Sequence, residues 1–149
     1  MEQFEIKHHV REVLNQEILI SLATTDMRHQ PWASVVHFTA NDDFTIYWLS
    51  DPKARHSENV ETTKRAAGTV TLPLDADGKS IALQLEGTAR RIVGDEVNMV
   101  RDLTERRRGK PINPALLETR TFYALVPDRI YLLHEPLLGY ERVELLLSA

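Results

Sequence analysis

Within eight residues, Ser50, Lys53, Arg55, His56 and Ser57 bring together two hydroxyls, an ammonium, a guanidinium and an imidazole. They stand where the apolar segment FTIYWLS gives way to DPKARHSENVETTKR. A phosphate monoester carries close to two negative charges. It is best held by a guanidinium fork, a point cation, hydroxyl donors and the free amides of a helix N-terminus. All of these donor types occur here at a predicted strand-to-helix junction. The string also suits an ordinary solvated helix start, since no glycine-rich loop accompanies it. Two further features invite a ligand less directly. Tyr47 and Trp48 are neighbours on one strand and point to opposite faces. One ring can edge a planar ligand, or the pair can supply one core ring and one interface ring. Gln84 alternates with apolar residues, and a buried amide there needs partners. A heterocycle with carbonyl and imide edges meets that need, and so does solvent.

Several chemistries are excluded or disfavoured. The chain has no cysteine, so no disulfide framework, thiolate nucleophile or cysteine metal site exists. His8, His9, His29, His37, His56 and His134 show no metal-ligand spacing, and no metal is expected. Arg106, Arg107, Arg108 and Lys110 read as a solvated helix C-terminus answering the helix dipole, in preference to a contact with RNA or phosphate. Asp42–Asp43 and Asp95–Glu96 fall at turn and cap positions, so a catalytic carboxylate pair is not expected. Ser34 and Ser80 lack the glycine frame of a nucleophile elbow. A net charge of −4 and a pI of about 5.9 argue against a nucleic-acid or anionic-membrane partner. The first seventeen residues are charged and lack an apolar signal core. No apolar stretch reaches bilayer length. A cytoplasmic chain is expected.

The elements that position these residues are mostly strands. At 149 residues a single domain, 1–149, is expected. Ile6, Val10, Val13 and Leu14 predict a helix over 4–17. Strands are predicted over 18–25, 32–39, 44–49, 66–74 and 80–93, the last interrupted by Gly87 as a bulge or bend. Helices are predicted over 53–64 and 95–107, with a short turn over 115–118. Residues 120–126 and 130–133 read as a hairpin around Pro127–Asp128, with a last strand within 139–147. The segment 32–39 is apolar on both alternating faces, as in a strand covered on both sides. Leu137, Leu138, Tyr140, Val143, Leu145, Leu146 and Leu147 carry more apolar surface than a free tail, which a second subunit can cover. Short turns between consecutive strands imply an antiparallel sheet that closes into a barrel.

The order of these segments resembles the pyridoxamine 5′-phosphate oxidase-like flavin-binding split barrels. SLATTDMRHQPWASVVHF resembles that family's first hairpin, FTIYWLSDPKARHSENV its third strand and phosphate segment, and SIALQLEGTARRI a later strand ending in Gly and basic residues. The C-terminal half, with TERRRGKP and LLGYERVEL, looks closest to the YhbP-like branch. The resemblance implies a mainly β fold: a six-stranded antiparallel split β-barrel of Greek-key type flanked by short helices. It implies a homodimer binding FMN at two sites between subunits, and an oxidoreductase acting on a small-molecule substrate. Carried over residue by residue, Ala33, Ser34, Val35 and Val36 line the flavin ring. Trp48, Leu49 and Ser50 make third-strand contacts. Arg55 and His56, with Lys53 close by, grip the phosphate, and Ala82 and Gln84 meet the ring. Oxidase members carry an arginine near Ala33 and a lysine where His56 stands. A non-catalytic split-barrel dimer holding a deazaflavin, haem or a phosphorylated metabolite is the alternative.

Overall fold

A computed structural model describes residues 1–148. The chain opens with α1 (Gln3–Gln16), whose first turn is closed by the Glu5 carboxylate accepting the Glu2 amide at 2.7 Å. The strands are β1 (Leu19–Thr25), β2 (Pro31–His37), β3 (Thr39–Ala40), β4 (Ile46–Ser50), β5 (Arg65–Thr71), β6 (Ile81–Arg91), β7 (Thr121–His134) and β8 (Arg142–Leu145). Between them lie α2 (Arg55–Thr63), α3 (Glu96–Arg108), α4 (Pro114–Thr119) and α5 (Glu135–Leu138). All strand pairings are antiparallel, in the order β2-β1-β5-β6-β7-β4-β3, with β8 also on β7. The fold is the mainly β split barrel expected. The sheet has eight strands where the resemblance implies six: β8 falls within the predicted 139–147, and two-residue β3 is an addition.

Two apolar cores fill the molecule. In the larger, Ile6, Val10, Val13 and Leu14 of α1 meet Ile20, Leu22, Leu83, Leu85, Ile130 and Leu132 from the sheet. Full burial of each such side chain contributes about 1.5–3 kcal/mol. This is what holds α1 over the barrel. The smaller core joins Tyr47, Phe122 and Ala124 to Ile92, Val100 and Ile112 beside α3. Tyr47 and Trp48 therefore do point to opposite faces, and each face is a core. Trp48 stacks on Tyr123 in the larger one, with ring centroids 6.0 Å apart.

Two local expectations are corrected. Pro127–Asp128 is no hairpin turn: β7 runs unbroken from Thr121 to His134. Glu86 pairs with Arg129 and Gly87 with Pro127, which leaves Asp128 as the extra residue of a bulge. A Cβ on Gly87 would sit 1.9 Å from the Val126 carbonyl oxygen, so only glycine lets the strands meet there. The segment 32–39 is not covered on both faces. β2 is an edge strand with a single partner, and Trp32 and Val35 are 40% and 64% exposed. Its two apolar faces exceed what one chain can bury.

Gly87→Ala is expected to lower unfolding stability by about 2 kcal/mol or more, as overpacking against fixed backbone does. Urea denaturation of the variant beside Gly68→Ala checks this. At Gly68 the added methyl meets the Ile20 side-chain tip at 2.7 Å, which can shift.

Candidate functional site

A cavity of about 760 Å³ opens where β2, β4 and the start of α2 face the α3–α4 connection. That is within the range of small-molecule and cofactor pockets. Val35 and Val36 of β2 and Trp48 and Leu49 of β4 give it apolar surface. Ser50, Asp51, Ala54 and His56 form its α2 end. Arg107, Arg108, Lys110 and Arg120 line it from the other side. Four permanent cations thus share the cavity with one carboxylate, that of Asp51.

The α2 end is built by a turn. The Asp51 carboxylate accepts the Lys53 amide at 2.9 Å, and the Asp51 carbonyl accepts the Ser57 hydroxyl at 2.7 Å and the Ala54 amide at 3.0 Å. Ala54 stands at the N-cap and has no side-chain oxygen to offer the first amides of the helix. Those amides and the helix dipole favour an anion. His56 Nε2 and Ser50 Oγ are hydrogen-bonded at 2.9 Å. Burial holds the His56 imidazole below its ordinary pKa of 6.5. At neutral pH His56 is therefore a neutral hydrogen-bonding group and supplies no charge.

The charge comes from the C-terminal half. α3 ends at Gly109, whose φ of 71° turns the chain out of the helix. The Glu105 carboxylate takes the Ile112 amide at 2.7 Å and the Arg101 guanidinium at 3.2 Å, fixing the connection to α4. Asn113 then caps α4 through the Ala115 amide at 3.0 Å. Arg107 donates to the Leu14 and Glu17 carbonyls at 3.1 and 2.7 Å, closing the end of α1. Arg120 lies 3.2 Å from the Asp51 carboxylate. Arg108 and Lys110 complete the basic wall.

The residues singled out from sequence divide into three groups. Val35, Val36, Trp48, Leu49, Ser50 and His56 line this cavity. Ala33 and Gln84 line a second cavity of about 450 Å³ over β1, β5 and β6. There the Gln84 amide oxygen accepts the Arg142 guanidinium at 2.8 Å, and Arg142 lies 4.8 Å from the Tyr131 ring centre. Ser34, Lys53, Arg55 and Ala82 line neither cavity. Lys53 is exposed. The Arg55 guanidinium lies over the Trp32 ring at 4.3 Å, turned toward β2. Arg107, Arg108, Lys110 and Arg120 were not expected at the site. Their run is visible in the sequence, but its placement against β4 depends on how β7 and α3 pack. Among the described residues, no group of three or more His, Asp or Glu side chains is arranged to hold a metal ion. Among the described residues, no helix is long and apolar enough to cross a membrane.

The fold is a split barrel whose strand faces and a helix N-terminus share a cation-lined cavity. Residues 6–134 match the family model described as pyridoxamine 5′-phosphate oxidase, and the chain belongs to that family. No curated protein matches the sequence. Solved structures share the fold. The haem binding protein from Mycobacterium smegmatis superposes with a TM-score of 0.73 at 20% identity, over 93% of this chain and 56% of that one. The haem storage protein HutZ from Vibrio cholerae gives 0.70 at 20% identity, over 83% and 91%. The conserved hypothetical protein Rv2991 from Mycobacterium tuberculosis gives 0.72 at 19% identity, over 96% and 91%. The chain thus spans little more than half the length of the M. smegmatis protein.

His56 is expected to titrate with a midpoint below the ordinary 6.5, because burial disfavours its charged form. The sign for stability follows. Acid costs the fold this contribution as the pH falls below 6.5 toward the lowered midpoint, and nothing changes above 6.5. NMR titration of the His56 ring protons checks this.

Proposed function

We propose that this chain binds FMN in the larger cavity and serves as an oxidoreductase toward a small-molecule substrate, working as a homodimer. The observation that carries the reading is the pairing of apolar strand faces with an unusually cationic rim in one cavity of suitable volume. Membership of the pyridoxamine 5′-phosphate oxidase family supports it. In this reading the β2 and β4 segments Val35–Val36 and Trp48–Leu49 flank the flavin ring. The first amides of α2, the His56–Ser50 pair and the Arg108 and Arg120 guanidiniums hold the phosphate. Bound FMN supplies hydride and electron transfer, so the chain need not provide an acid–base pair. The neutral His56 is a weaker anchor than a lysine, and the α3–α4 cations offset this.

The exposed apolar edge of β2, with Trp32 and Val35, supports the dimer, as does the exposed C-terminal surface at Leu137, Tyr140 and Leu146. The separate placement of Gln84 and Ala33 suits a site completed by a second subunit. Absence of cysteine suits a reducing compartment such as the cytoplasm. The C-terminal segments TERRRGKP and LLGYERVEL support a place in the YhbP-like branch.

Haem is the second reading. The names of two solved relatives favour it, and so do His37 and His56, which both line the cavity. A neutral imidazole is the form that ligates iron.

Visible absorption after adding FMN and desalting tests the proposal. Retention of about one flavin per subunit is expected, and Arg120→Ala should weaken binding by about ten- to a hundredfold, the worth of one charge-assisted hydrogen bond. A protein that releases all flavin but develops a Soret band with haemin overturns the FMN reading.

A further inference from the structure

The structure holds a second group of titratable side chains, where α1 lies against the end of β7. His9 and His134 have ring centroids 4.7 Å apart, and His8 lies 5.7 Å from His9. The Glu12 carboxylate is 3.1 Å from His9 Nδ1 and 3.4 Å from His8 Nε2. His134 is 7% exposed, and its Nδ1 has no hydrogen-bond partner among the described residues. None of these residues lines either cavity. We propose that α1 is a strap released by acid, in which protonation across the His9–His134 contact favours opening of α1 while the rest of the barrel stays folded.

The asymmetry of the cluster carries this. Protonated His9 has a counter-charge in Glu12, and its side chain is 22% exposed. His134 is buried, its Nδ1 has no hydrogen-bond partner among the described residues, and its ring faces that of His9. Glu12 and the residue's own backbone ease its protonation only in part, since burial and His9 outweigh them. From α1 the titratable neighbours are His8, His9 and Glu12. After β7 comes Glu135, whose carboxylate already accepts the Ser80 amide and hydroxyl at 2.8 and 3.3 Å. Burial first, and the neighbouring His9 second, hold His134 below the ordinary imidazole range. Swinging α1 away lets the His134 ring reach solvent and charge. Protons therefore bind the open form better, and acid shifts the population toward it. At its other end α1 is held by the Arg107 guanidinium, which donates to the Leu14 and Glu17 carbonyls. Arg107 and Ile18 line the larger cavity, so the strap also joins the cluster to the wall of the site.

Hydrogen–deuterium exchange from about pH 7.5 to about pH 5, corrected for intrinsic rates, tests the strap without any ligand. Protection of the α1 amides is expected to fall about tenfold more than that of the β6 and β7 amides across this range. In His134→Gln, and separately in His9→Gln, that extra loss should shrink several-fold. The His9 variant changes the more exposed ring and keeps the test alive if the buried substitution does not fold. Equal loss of protection in α1 and in the central strands, or an unchanged α1 profile in a folded variant, overturns the proposal.

Discussion

The pairing of β6 with β7 is the constraint on which the rest depends. It runs from Ile81 opposite His134 to Arg91 opposite Tyr123, and it is broken once, at Gly87. On one side of that bulge Leu83, Leu85, Ile130 and Leu132 face the barrel core. Beyond it, Ala89, Tyr123 and Leu125 stay on that core, while the alternate residues Phe122 and Ala124, with Ile92 just past β6, face the other side and build the smaller core on which α3 packs. A bulge bends its strand and increases the local twist. Past the bulge, alternation of side chains along β7 lets one stretch of strand serve two cores. Because α3 and the α3–α4 connection rest on the second core, the placement of Arg108, Lys110 and Arg120 against β4 follows from it.

That arrangement divides the labour of holding an anion. The N-terminal half supplies geometry: the β2 and β4 faces, the turn at Asp51 and the unobstructed first amides of α2. The C-terminal half supplies charge. His56 contributes a hydrogen bond and is kept neutral by burial, while Arg55 is occupied over Trp32. Arg107 is spent on the α1 carbonyls. The cations left to face a ligand are Arg108, Lys110 and Arg120, the last shared with Asp51.

Much of the scaffold was legible because local signals agreed with it. Helical spacing gave α1, and β-branched runs bounded by Asp and Gly turns gave β1, β5 and β6. The miss at Pro127–Asp128 has a physical cause. A Pro-Asp pair is a good local turn, but eleven paired residues of β6 and a glycine opposite turned it into a bulge. The site was half legible. Val35, Val36, Trp48, Leu49, Ser50 and His56 lie on segments whose chemistry is local, and they meet. Arg55 and Lys53 carried the right charge, yet nothing in their spacing reveals that Trp32 draws the Arg55 guanidinium aside. The basic run at 106–110 was read as a helix terminus, which it is. Its second location, in the cavity wall, depends on packing between distant segments: Leu49 and Arg108, some sixty positions apart, line one cavity.

The central claim is that one cavity, framed by β2, β4, α2 and the α3–α4 connection, takes a planar ring and its phosphate together. Amide chemical-shift mapping of the isotope-labelled protein during FMN titration tests it most directly. The account predicts saturable shifts at Val35–Val36, Trp48–Ser50, Ala54–Ser57 and Arg108–Lys110. Shifts confined to the groove around Gln84, Tyr131 and Arg142, or no saturable shifts at all, would contradict it.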